Sequence, residues 1–180
     1  MKMNTILLSS LAVAIAVSTA CTSETPKENA AEHESHESEN MASEAGNPEF
    51  KDAKSQEVYQ HYIHLKTALV NSDGKEAQAG ASALSTALTD AGNKKAADIS
   101  SQIAASADIK AQRDNFDELT AEVESFVKGA GLKSGKIYKQ YCPMAKDGDG
   151  AYWLASESDI KNPYYGDEML TCGEVKEEIK

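Results

Sequence analysis

The sequence predicts a mainly α fold: an antiparallel four-helix bundle with a small, turn-rich, aromatic C-terminal module. Three observations predict it. Between Pro48 and Gly131, apolar residues recur at helical spacing in four stretches. Short turns built from Asn, Asp and Gly separate them. After Gly135 the helical period stops, and five of the seven tyrosines and the single tryptophan crowd into the remaining residues.

In chain order, Lys2 and the short apolar run Ile6 to Val17 read as a secretory signal, too short to span a membrane. Ser18-Thr19-Ala20 before Cys21 resembles a lipoprotein cleavage site, with Ser18 where such signals commonly carry Leu or Val. Residues 1–20 are therefore expected to be removed and Cys21 lipidated. That anchors a soluble domain to a membrane without spanning it and places it where disulfides persist. Thr22 in place of Asp after the cysteine favours the outer membrane over the inner. Loss of Lys2 moves the net charge from −11 to −12. Such acidity argues against nucleic acid and anionic lipid as partners. Residues 21–47 form an acidic linker, too poor in apolar residues to offset the entropy of ordering. Its His33 and His36 read as solvated.

The folded part begins at Asn47-Pro48, a cap followed by proline at the first helical position. The first helix runs to about Ser72, with Val58, Tyr62, Leu65 and Leu69 as its stripe and Tyr59, Ile63 and Val70 widening it. Asp73 with Glu76 has the form of a capping box for the second helix. Its inner face of Ala77, Gly80, Ala81, Leu84, Leu88 and Ala91 is small enough for close helix contact. Gly92 ends it. Asn93 caps a third helix, with Ala96, Ile99 and Ile103 inward, that ends near Ala107. Asp108 caps the fourth, which buries Ile109, Phe116, Leu119, Val123, Phe126 and Val127 and stops at Gly129 and Gly131. Short connections make neighbouring helices antiparallel. The bundle thus occupies 48–131 and the module 132–180, which is too small to hold a core alone and is expected to pack on the bundle. A strand pair at 150–154 and 172–176 is expected within it.

The chemistry-bearing residues cluster in that module. Cys142-Pro143-Met144 and Met169-Leu170-Thr171-Cys172 hold both cysteines beyond Cys21 and two of the three methionines beyond the signal. In an oxidising compartment the two cysteines form a disulfide most simply. Closing a loop of about 30 residues would stabilise the fold by roughly 3–4 kcal/mol in the chain-entropy treatment. The competing fate is a metal site, since thiolate and thioether are soft ligands that select Cu(I). His61 and His64, at i and i+3 on the first helix, point the same way from the edge of its stripe. His61, His64, Cys142 and Cys172 would make a tetrahedral zinc set. His61, His64, Met144 and Met169 would suit copper even with the disulfide formed. Met144 and Met169 also suit plain packing against aromatics. Asp147 and Asp149 open like a calcium loop, but Ser158 stands where an EF-hand needs its bidentate Glu. No nucleophile with a motif-level base and no phosphate loop is present, so the chain reads as a binder and not an enzyme.

Several motifs taken together resemble one known family. They are Val58-Tyr59 with His61-Tyr62-Ile63-His64-Leu65-Lys66, then Tyr141-Cys142-Pro143-Met144-Ala145, Trp153-Leu154, and Asn162-Pro163-Tyr164-Tyr165-Gly166-Asp167-Glu168-Met169-Leu170-Thr171-Cys172-Gly173. The family is an uncharacterised bacterial domain, found alone in secreted or lipid-anchored proteins. It also occurs at the C-terminus of periplasmic adaptor subunits of heavy-metal efflux pumps of the copper/silver type. The resemblance spans about residues 52–176. Cys-Pro-Met is also similar to a short motif of copper transport proteins in which a His commonly follows; here Ala145 stands in that place. The resemblance implies metal handling by association, with components of an efflux system as possible partners. The alternative is a structural or interaction module stapled by Cys142–Cys172.

Overall fold

A computed structural model describes residues 47–180. The signal, Cys21 and the acidic linker with His33 and His36 lie outside the described residues. The chain is mainly helical, with a small antiparallel sheet region: β1 (Glu49–Phe50), α1 (Ala53–Val70), α2 (Gly74–Asp90), α3 (Lys94–Ala104), α4 (Ile109–Ala130), β2 (Leu132–Ser134), β3 (Ile137–Cys142), β4 (Ala151–Ala155) and β5 (Glu174–Ile179). Among the described residues no helix is long and apolar enough to cross a membrane.

Each helix starts on an Asx side chain that accepts from backbone N–H groups otherwise left without partners. Asp52 takes Ser55 N, Asp73 takes Lys75 N and Glu76 N, Asn93 takes Ala96 N, and Asp108 takes Lys110 N. Three of these caps match the sequence expectation. The first does not. Asn47-Pro48 caps nothing, because the chain there is extended and β1 pairs antiparallel with β2. Gln56 holds it in place, accepting from Phe50 N at 2.9 Å and donating to the Pro48 carbonyl at 3.3 Å. The helix then starts five residues past Pro48. The capping box at Asp73 is half formed, since the Glu76 carboxylate turns to His64 instead. The third helix stops at Ala104, short of Ala107.

α1 packs along α2, α2 along α3, and α3 against α4, while α4 meets α1 more lightly and also carries β4. Gly80 lets α1 and α2 approach closely: a Cβ there would sit 3.3 Å from the Leu65 Cα. The core is continuous from the helices into the sheet. Tyr62 stacks on Phe116 with ring centres 5.4 Å apart, Phe116 meets Tyr164 at 5.9 Å, and Tyr164 meets Trp153 at 6.2 Å. All four rings are buried.

The expected pairing of 150–154 with 172–176 is corrected. β4 and β5 do not pair with each other; both pair antiparallel with β3, in the order β4-β3-β5. β3 escapes a sequence reading because its inner face includes a polar residue. Gln140 is fully buried and donates to the carbonyls of Glu157, Ser158 and Asp159. That breaks the apolar alternation by which strands are read.

Candidate functional site

The two cysteines reach one point from different elements. Cys142 is the last residue of β3, opposite Ala151 of β4, and has no exposed surface. Cys172 sits in the loop before β5 and is partly exposed. That loop is tied down by Asn162. The Asn162 N–H donates to the Leu170 carbonyl at 2.8 Å, its Nδ2 donates to the Cys172 carbonyl at 2.9 Å, and its Oδ1 accepts from Tyr164 N at 2.8 Å. Cys172 N donates to the Met169 carbonyl at 3.0 Å. Gly173 follows with φ +146, where a Cβ would lie 2.8 Å from the Trp153 ring and 2.9 Å from the Tyr141 carbonyl oxygen. Only glycine fits this conformation and this gap.

The result is a Cys142 Sγ to Cys172 Sγ separation of 2.7 Å. A covalent bond at about 2.05 Å requires less than an ångström of further approach. The Cys142 thiol against it, and then burial, push the Cys172 thiol above its ordinary range. Met144, two residues beyond Cys142, is 53% exposed, and its carbonyl accepts from the Tyr165 hydroxyl. Burial, then the charge of a Cys142 thiolate, push the Tyr165 phenol up. Met169 is partly buried. The turn after Met144 is strained, with Lys146 at φ 54 and Asp147 at φ 58.

The histidines do not join this cluster. Tyr59, Tyr62 and Lys66 mark the side of α1 that faces the C-terminal segment, through Ser156 Oγ at 3.1 Å, Leu154 N at 3.0 Å and Glu157 at 2.6 Å. At 100° per residue, His64 falls about 170° and His61 about 130° from the mean direction of these three. His64 Nε2 instead lies 2.7 Å from the Glu76 carboxylate on α2, and His61 Nε2 lies 3.9 Å from Glu57 of its own helix. Among the described residues, no three His, Cys, Asp or Glu side chains converge on one point. The Cys₂His₂ zinc set is therefore not assembled. Two thiols meet, and the exposed Met144 lies two residues along the chain from Cys142. Such a cluster can lose two electrons to form a disulfide or hold a soft cation.

Asn162, Tyr165 and Gly173 position the site and were not assigned that role from the sequence. Asn before Pro, and Gly directly after Cys172, are the signals that could have marked them.

A family model described as protein of unknown function (DUF3347) matches residues 58–135. The match takes in His61 and His64 and the helices from α1 onward, and it ends before Cys142. No curated protein and no solved structure matches the chain.

Proposed function

We propose that this is an exported protein, lipid-anchored at Cys21, that binds a soft transition metal, copper ahead of zinc, and serves metal handling or efflux at the cell envelope. Its domain is a binder and not a catalyst, built on an up-down antiparallel helix arrangement. The observation that carries the reading is the convergence of the Cys142 and Cys172 sulfurs from two elements, with Met144 exposed two residues beyond Cys142. An ion bound by both thiolates would part the sulfurs from their 2.7 Å contact. Two converging thiols, with a thioether two residues along the chain, are soft donors that favour Cu(I) over hard cations. The ligand set rests on Cys142, Cys172 and Met144, with Met169 at its flank. His61 and His64 drop out of it, because they lie away from the side of α1 that faces the C-terminal segment, His64 against Glu76 of α2 and His61 beside Glu57 of its own helix.

Titrating the reduced protein with Cu(I) against a competing chelator tests this. One tightly held equivalent is expected, lost in Cys172→Ala and retained in the His61→Ala/His64→Ala double variant. If neither reduced nor oxidised protein holds a stoichiometric equivalent, the reading fails.

The complete burial of Cys142 favours a second reading. In it the pair is a disulfide staple of an envelope interaction module and binds no metal. Native protein that shows no free thiol and takes up no copper, even after reduction, would select it.

A further inference from the structure

We infer that Cys142 and Cys172 form a reversible thiol–disulfide couple that is entered through Cys172 by low-molecular-weight thiols and disulfides. The inference rests on the asymmetry of the pair and on what holds it in place. Cys142 has no exposed surface, closed in at the end of β3, while Cys172 is partly exposed in a loop. An external sulfur can therefore reach only Cys172. The two thiols are also brought together without help from a bond between them. Strand register opposite Ala151 places Cys142. The Asn162 amide, the Met169 carbonyl and the packing of Gly173 on Trp153 place Cys172. At 2.7 Å the sulfurs lie inside non-bonded contact, so reduction must part them slightly, while strand register and the Asn162 contacts still hold both residues close. Both oxidation states are then accessible to the folded protein.

The exchange runs in two displacements. The Cys172 thiol gives its proton to solvent and attacks a small disulfide RS–SR; a Cys172–SR bond forms and one RS⁻ leaves. The Cys142 thiol then gives its proton to solvent and attacks Cys172 Sγ, expelling the second RS⁻. Two protein thiols are oxidised while one small disulfide becomes two thiols. Excess thiol drives the same steps in reverse, with its first attack on Cys172 Sγ. In the oxidised form both thiolates are consumed. The couple would then switch off the proposed copper site, and that consequence alone depends on the copper reading.

Oxidised and reduced glutathione are the probes, with intact-mass and peptide-mapping readouts on the metal-free protein. Cys142→Ala is expected to take one glutathione, mapped to Cys172. Cys172→Ala is expected to take none while it still melts cooperatively. The unaltered protein should end as an internal disulfide without an adduct, and excess reduced glutathione should reopen it under native conditions. Limited alkylation of the reduced, unaltered protein should modify Cys172 about tenfold or more faster than Cys142. This arm needs no variant to fold. Equal or preferential reaction at Cys142 in either arm overturns the inference. So does an internal disulfide that glutathione opens only in denaturant. No metal enters these measurements, so a failed copper titration leaves their outcome intact.

Discussion

Lys66 is the most deeply buried charge on α1, with 3% of its side chain exposed, and Glu157 at 2.6 Å is what makes that burial tolerable. Burial pushes the Lys66 ammonium down, and Glu157 pulls it back up. Burial also opposes ionisation of Glu157, yet the Lys66 charge and its hydrogen bond, with Lys161 nearby, together outweigh it and hold that carboxyl below its ordinary 4.5. A depressed folded value means that the contribution is complete above the unfolded value and is lost as pH falls through the folded one. Denaturant unfolding at neutral pH and at about pH 3 should therefore show acid destabilisation that Glu157→Gln reduces. At neutral pH, Glu157→Gln should itself cost about 2 kcal/mol. That is less than a fully dry pair would lose, because Glu157 keeps 26% of its side chain wet. Lys66→Met added to it should restore most of the loss, since no charge is then left buried. The His64–Glu76 pair behaves differently. Both side chains are about half exposed, so His64→Ala should change stability by less than about 1 kcal/mol.

At the scale of elements, β4 shows how a sheet edge is closed. Its outward N–H groups find side chains on the helices: Leu154 N donates to the Tyr62 hydroxyl at 3.0 Å, and Tyr152 N donates to the Asp117 carboxylate at 3.3 Å. The Tyr62 hydroxyl also bonds Thr120 of α4 at 2.8 Å. One buried phenol thus joins α1, α4 and β4. Tyr62→Phe leaves the Leu154 N–H unsatisfied in the core and should cost about 1–3 kcal/mol, read as a lowered melting temperature with the fold retained. Gly173→Ala tests the loop that carries Cys172. Its φ of +146 and the 2.8 Å gap to Trp153 leave no place for a methyl. The loop must shift, so the variant should show a smaller fraction of internal disulfide at a fixed glutathione ratio, as well as lower stability. Elements with local signals were legible in the sequence. Asp73, Asn93 and Asp108 cap helices by bonds that span two or three residues. The start of α1 was not legible, because β1 pairs with a strand more than 80 residues away. That pairing kept Asn47-Pro48 from the helix.

Among the described residues the core is continuous from helices to sheet, so the cysteine pair can act on the stability of all of them. Cys142 and Cys172 enclose a 30-residue separation that contains β4 and the Asn162 loop. Bridging it lowers the entropy of the unfolded chain by an amount worth roughly 3–4 kcal/mol. Thermal unfolding of the oxidised protein with and without reductant should therefore differ by on the order of 10 °C. Because the fold itself positions the thiols, the reduced protein should still unfold cooperatively. Loss of cooperativity on reduction would mean that the bond, and not the surrounding contacts, builds the C-terminal segment.

By itself the sequence determined the four helices, most of their boundaries, and the gathering of aromatic and sulfur residues near the C-terminus. Those depend on periodicity, caps and composition, which act over a few residues. Only the tertiary structure decided the partners. It set β3 between β4 and β5, brought Cys142 to Cys172, and turned His64 toward Glu76 of α2. A helical wheel puts those histidines at the edge of a stripe but does not say which neighbour lies beyond that edge. Helix packing, through contacts between residues far apart in the chain, set His64 on Glu76 and apart from the paired sulfurs.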